Sequence, residues 1–311
     1  MGSLVAAMAT AHAFALMDPT RWDEFRERNR QGYQRRYGVM PPVNAQLAKE
    51  TLDSNLERYR SVREAHDRLD RELREVRPDV LFLVGDDQNE LYHADNIPQI
   101  AIYNGGDFVT RADESPYTSH PEVANLLLRR LVRDGYDVSI CSQFADDRLK
   151  SHAFAELLDR LASARSIPIV PIFVNGIHVP APEPYRCHAL GGSLRKIIAA
   201  DLPAGTRVAV LASGGLSHFT AGYPWPAYHG PFQYGDISVD FDRSLIEAMT
   251  RGEGEKLAEL TADDLLDHGE IEFRSWLVVL GMVGKTPIEM LAYEPFYSAI
   301  MGIGVGRWEV Q

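Results

Sequence analysis

The stretch Arg207-Val-Ala-Val-Leu-Ala-Ser-Gly-Gly-Leu-Ser-His218 decides the fold. Its first part, 208–212, is a short apolar, β-branched run that reads as a buried strand. The run stops at Ser213, Gly214 and Gly215, where the missing Cβ atoms let the chain turn sharply. That turn delivers Ser217 and His218 to the strand's C-terminal end, where open α/β sheets place their ligands. A histidine there can carry a proton near neutral pH, although a histidine that merely caps a loop fits the same pattern.

Outward from this strand, apolar runs at 4–9, 80–84, 98–103, 136–141 and 167–174 read as further strands. Segments with helical spacing lie between them: 20–36 (with Thr20 as N-cap), 44–74, 120–134, 151–164 and 185–200. Others follow at 241–249 and 254–260, and an apolar helix runs from the 270s through Val283. The tail, 287–310, is mixed. Strands alternating with helices predict an α/β fold, a single catalytic domain over 1–311 with a central, largely parallel sheet flanked by helices.

Composition narrows the classes. A net charge of −12 argues against a nucleic-acid groove or an anionic membrane surface as partner. The two cysteines, Cys141 and Cys187, lie outside any C-x-x-C, which excludes a disulfide scaffold and a cysteine-rich zinc site. The apolar run 4–17 lacks a basic flank and is too short to span a bilayer. A cytoplasmic protein is expected.

Three histidines stand at element edges: His12 after the first strand, His152 at a helix start, and His218. A carboxylate, Glu272, opens an apolar helix, where a charge is costly unless paired or bound to a metal. Histidines and a carboxylate converging on one end of a sheet are what a non-haem Fe(II) site needs. The polar run Gly85-Asp-Asp-Gln-Asn-Glu90, directly after a strand, is a second candidate site loop, or a turn in which Asp86 caps a helix.

Taken together, Thr10-Ala-His12, Gly214-Gly-Leu-Ser-His218 and Glu272-Phe-Arg-Ser-Trp276 resemble hallmark segments of the class III (LigB-type) extradiol ring-cleavage dioxygenases. Val174-Asn175, Tyr185-Arg-Cys187 and Ser151-His-Ala-Phe154 are similar to further segments of that family, in the same order. Gly85-Asp-Asp-Gln88 and Asn96-Ile-Pro98 look closest to its 3-O-methylgallate branch. The resemblance implies an Fe(II) enzyme that opens a catechol- or gallate-like acid, methoxylated forms included, with dioxygen. It implies His12 and Glu272 as metal ligands, His218 as acid/base, and His152 beside the oxygen or the substrate. It also implies a homodimer.

One position departs from the family. Its usual Asn-Asp-His aligns with Asp86-Asp87-Gln88, so Gln88 stands where the second histidine ligand is expected. Three arrangements are compatible with this: Gln88 coordinates through its amide oxygen, Glu90 or His93 takes its place, or the metal is lost. A lost site would leave a binding protein, and a hydrolase using Ser217 and His218 is a further alternative. The latter lacks a G-x-S-x-G elbow.

Other expectations are minor. His66, His120, His188 and His268 read as solvated or capping residues, and His178 and His229 as loop residues near a pocket. Arg186 reads as a clamp for a substrate carboxylate or as a surface ion pair. The loop 223–234 reads as a lid or a subunit contact.

Overall fold

The computed structural model describes residues 1–111 and 114–310. In chain order the elements are β1 (Ser3–Thr10), α1 (Trp22–Tyr37), α2 (Leu52–Val76), β2 (Val80–Gly85), β3 (Ile100–Tyr103) and α3 (Pro121–Arg133). Next come β4 (Ser139–Cys141), α4 (His152–Arg160), β5 (Ile169–Val174), α5 (Pro184–Asp201) and β6 (Arg207–Ser213). The chain continues through α6 (Val239–Thr250), α7 (Gly254–Leu257), α8 (Ala262–Asp267), α9 (Arg274–Val283), β7 (Ile288–Phe296) and β8 (Met301–Trp308).

The eight strands of the described residues join one sheet, in the order β4-β3-β5-β2-β6-β1-β8-β7. The central strands β5, β2, β6 and β1 run parallel to one another. The sheet is therefore α/β with a largely parallel centre, as the alternating pattern predicts. Among the described residues, antiparallel pairing within the sheet enters only at the flanks, between β3 and β5 and in the β1–β8–β7 run.

Both faces of the sheet are covered, and side chains alternate between them as strand geometry requires. Ala7, Ala9, Phe82, Val84, Val210 and Ala212 point to the side packed by α3, α5 and α9. Met8, Leu81, Leu83, Ala209 and Leu211 point to the side packed by α2 and α4. On the first side α5 and α9 touch backbone to backbone. A Cβ on Gly191 would overlap the Val278 carbonyl, and one on Gly281 would overlap the His188 carbonyl.

Several local expectations change. The tail is a β-hairpin, whose strand β8 takes the free edge of β1. The helix expected at 20–36 starts at Trp22: Pro19 opens a tight turn first, and Asp18, rather than Thr20, accepts the capping hydrogen bond from the Thr20 N–H. His66 is fully buried, because its face of α2 packs on β1, where its Nε2 lies 2.8 Å from Thr10 Oγ1. In the loop 223–234, Tyr223 and Tyr228 pack around Phe219, so these two rings face inward. No helix among the described residues is long and apolar enough to cross a membrane.

Candidate metal centre

Parallel strands leave their C-terminal ends on one edge, and β1, β2 and β6 each end there beside a polar side chain. His12 follows β1, Asp86 follows Gly85 at the end of β2, and Ser213 closes β6. Glu272 reaches the same point from a one-turn 3-10 helix, Ile271–Phe273, ahead of α9. Gly214 is required at this crossing: its φ is +137°, and a Cβ would come within 2.8 Å of Glu272 Cβ.

The Glu272 carboxylate is the hub. Oε1 lies 3.1 Å from His218 Nε2 and accepts from Gln88 Nε2 at 2.6 Å. Oε2 accepts from the Gly215 N–H at 3.1 Å and lies 3.5 Å from His12 Nε2. Donor atoms of His12, Asp86 and Glu272, all buried, fall within 4.8 Å of one another. Both Asp86 carboxylate oxygens lack a hydrogen-bond partner. Of the residues read from sequence, His12, Gln88, Glu272 and His218 therefore meet directly. His152 stands at the edge, its ring centroid 4.8 Å from that of His12.

Comparison with known proteins gives the same direction. Residues 42–306 match the family described as the catalytic LigB subunit of aromatic ring-opening dioxygenase. The chain belongs to that family. It is 24% identical over 275 residues to a 2,3-dihydroxyphenylpropionate/2,3-dihydroxicinnamic acid 1,2-dioxygenase of Rhodococcus jostii, covering 73% of this chain and 84% of that one. It is 27% identical over 174 residues to a gallate dioxygenase of Pseudomonas putida, covering 54% of this chain and 47% of that longer one. In fold it matches the crystal structure of an uncharacterized protein from Escherichia coli K12 (TM-score 0.53, 12% identity), over 97% of this chain and 99% of the other.

The electrostatics of this LigB-family site suit a cation. Burial pushes the His12 imidazole down to about 4, so its lone pair is free at neutral pH. Burial works against the Glu272 anion, but the charges of His218 and His12 outweigh it and hold the carboxyl below its usual range. Burial and the Glu272 charge push Asp86 well above the usual carboxylate range. Two buried carboxylates this close, one with no partner at all, are costly as they stand. A divalent ion among the three donors would satisfy both.

His218 and His152 are tuned in the opposite sense. Burial lowers His218, but the charge and hydrogen bond of Glu272 override this and raise it to about 9. His218 Nδ1 lies 2.8 Å from the Leu216 carbonyl, which leaves Nε2 facing the site. His152 is raised to about 10, because Glu90 overcomes its burial.

The loop after β2 divides its labour. Asp87, not Asp86, does the capping, since its carboxylate accepts from the N–H groups of Glu90, Leu91 and Tyr92. Glu90 is committed to His152 and Arg111, and His93 is exposed and outside the cluster. Ser217 is buried and its Oγ accepts from the Ser238 N–H, so it is not placed as an open nucleophile. Asp86 as a donor was the residue that sequence reasoning missed. Its one signal was an acid directly after a fully apolar strand.

Proposed function

We propose that this chain is an Fe(II)-dependent extradiol dioxygenase that opens the ring of a catechol- or gallate-like acid beside its diol. The observation that carries this reading is the convergence of His12, Asp86 and Glu272 donor atoms within 4.8 Å, one carboxylate of the set being otherwise unpartnered. These three side chains would hold the ion. The Gln88 amide lies beside them, and a half-turn of that amide would present Oε1 in place of Nε2 as a further oxygen donor. Bound there, Fe(II) supplies Lewis acidity toward the diol and redox access to dioxygen.

The chain's own residues supply proton handling and charge. With Nδ1 turned to the Leu216 carbonyl, His218 works through Nε2, taking a hydroxyl proton from the diol and returning it later. Sharing the Glu272 charge with a cation weakens that carboxylate's hold on the His218 proton, which readies Nε2 to accept. His152, kept cationic by Glu90, stabilises negative charge that develops next to His12. The names of the relatives, dioxygenases of dihydroxyphenyl acids and of gallate, support the substrate class. Cys141 and Cys187 are both free, in keeping with a reducing cytoplasm.

The test is anaerobic purification, metal analysis, and oxygen uptake with 2,3-dihydroxyphenylpropionate, protocatechuate, gallate and 3-O-methylgallate. About one iron per chain, with uptake and a ring-opened chromophore on one of these diols, is the expected result. An apo protein that refuses Fe(II) on reconstitution and consumes no oxygen would overturn it.

A further inference from the structure

An open cleft of about 710 Å³ comes up to the rim of the metal centre, where Gln88, Glu90 and His152 line it. Helix α1 forms one wall. Phe25, Arg28, Asn29, Gly32, Arg35 and Arg36 line it, which is one stripe at helical spacing. With Arg111 opposite, four arginines face the cleft against two carboxylates, Glu90 and Glu156. In a chain of net charge −12 this is a local reversal of sign.

Most of these cations are already engaged. Arg28 is 2.5 Å from Glu24, and Arg111 is 2.6 Å from Glu90. Arg36 donates to the Ala221 carbonyl at 2.9 Å. The Arg35 side chain has neither an ion pair nor a hydrogen bond among the described residues. Its guanidinium folds back over Gly32: a Cβ at that glycine would lie 3.8 Å from Arg35 Nη2 and 3.6 Å from Ala221 Cβ. Gly32 thus faces the segment after His218 at ordinary contact distance, and the free guanidinium lies at the edge of that contact.

We infer that Arg35, assisted by Arg36, anchors the anionic substituent of the ring substrate, with the diol end directed to Gln88 and His152. This rests on the ring-cleavage reading for the identity of the remainder of the ligand. A guanidinium with all its donors unused offers a planar fork that takes a carboxylate through two parallel hydrogen bonds. Because the cleft is open to solvent, the anchor sets selectivity and orientation more than tight binding. Arg186, the other arginine considered for this role, is outside the cleft lining, its guanidinium 5.3 Å above the Tyr136 ring.

The test compares acid with ester. kcat/KM for 2,3-dihydroxyphenylpropionate over its methyl ester should fall about tenfold in Arg35→Ala/Arg36→Ala, roughly 1.4 kcal/mol, mainly through KM. Arg35→Lys should recover part of it, and Arg60→Ala on the exposed face of α2 should leave the ratio unchanged. Calorimetry without metal or oxygen, using 3-phenylpropionate against 3-phenylpropanol, reads the anchor independently of turnover. Preference for the acid in the parent protein, lost in the double variant and weakened by salt, supports the anchor even if no diol is cleaved; that combination would instead retire the ring-cleavage reading. Equal binding of acid and alcohol by the parent, or a preference that survives the double variant, overturns the inference.

Discussion

Glu90 grips His152 twice: one carboxylate oxygen, Oε2, lies 2.7 Å from both the ring Nδ1 and the backbone N–H of His152. The pair fixes the ring beside His12 and holds its proton, so the imidazolium persists up to about 10. As a raised pKa, this contributes stability that is complete below the ordinary histidine value and is lost as pH climbs towards 10. Glu90→Gln removes the charge while keeping the shape. Burial then dominates, the ring loses its proton at lower pH, and the alkaline limb of the turnover profile shifts down. Turnover at pH 8 should drop about ten- to a hundredfold with metal content unchanged. An unshifted limb in the pH profile would remove His152 from the proton inventory.

Asp86 should show opposite signs in the two states of the protein. Asp86→Asn relieves an unpartnered buried acid next to Glu272, so the metal-free protein gains about 1–2 kcal/mol at pH 8. The same change removes a donor charge, so Fe(II) or Co(II) affinity falls by about tenfold or more. Paired chemical denaturation and metal titration read both. A loss of apo stability, or undiminished metal affinity, would move the third donor to Gln88.

His66 makes the protein acid-sensitive. Burial drives its pKa down to about 3, so the native state resists protonation that the unfolded chain accepts below the ordinary value near 6.5. Stability is therefore full above that value and declines as pH falls, by about 3 kcal/mol between pH 7 and pH 4 from this residue. His66→Asn cannot titrate and should flatten that slope in urea titrations run across the range. An identical slope would mean that the acid sensitivity comes from other groups.

The contact of α5 with α9 has no spare room. Gly191→Ala or Gly281→Ala forces a methyl into a facing carbonyl, so each should cost about 3 kcal/mol or more. Gly192→Ala, whose Cβ would meet nothing closer than 3.9 Å, is the control on the same helix and should stay within about 1 kcal/mol of the parent. Thermal melts of the three variants decide the matter.

How far the sequence was legible follows from the range of the interactions involved. The central strands were plain, because strands buried on both faces must be apolar throughout, as 80–84 and 208–212 are. His12, His218 and Glu272 could be named because each breaks such a run or abuts it. Asp86 looked like a capping residue, since one aspartate after a strand resembles another, and only the fold shows that Asp87 takes the capping hydrogen bonds. The tail 287–310 was unreadable as a hairpin because Gly302, Gly304 and Gly306 thin its apolar pattern. Those glycines have a tertiary cause: Leu216, Ile288 and Asp242 press against them. His66 was misread for the same reason, as the β1 surface that covers it lies 56 residues away in the chain.

The hairpin also sets an order of events. Strand β1, which leads into His12, is flanked by β6 and β8, segments made some two hundred and three hundred residues later. On the ribosome, β1 therefore waits for both of its neighbours, and the donor set stays scattered until Glu272 has emerged. Under the Fe(II) reading proposed above, capture of the ion has to wait until Glu272 is in place. A copy that lacks Glu272 offers only His12 and Asp86 of the three donors, so on that reading a partial chain would hold the ion weakly and be spared the chemistry of a half-built centre.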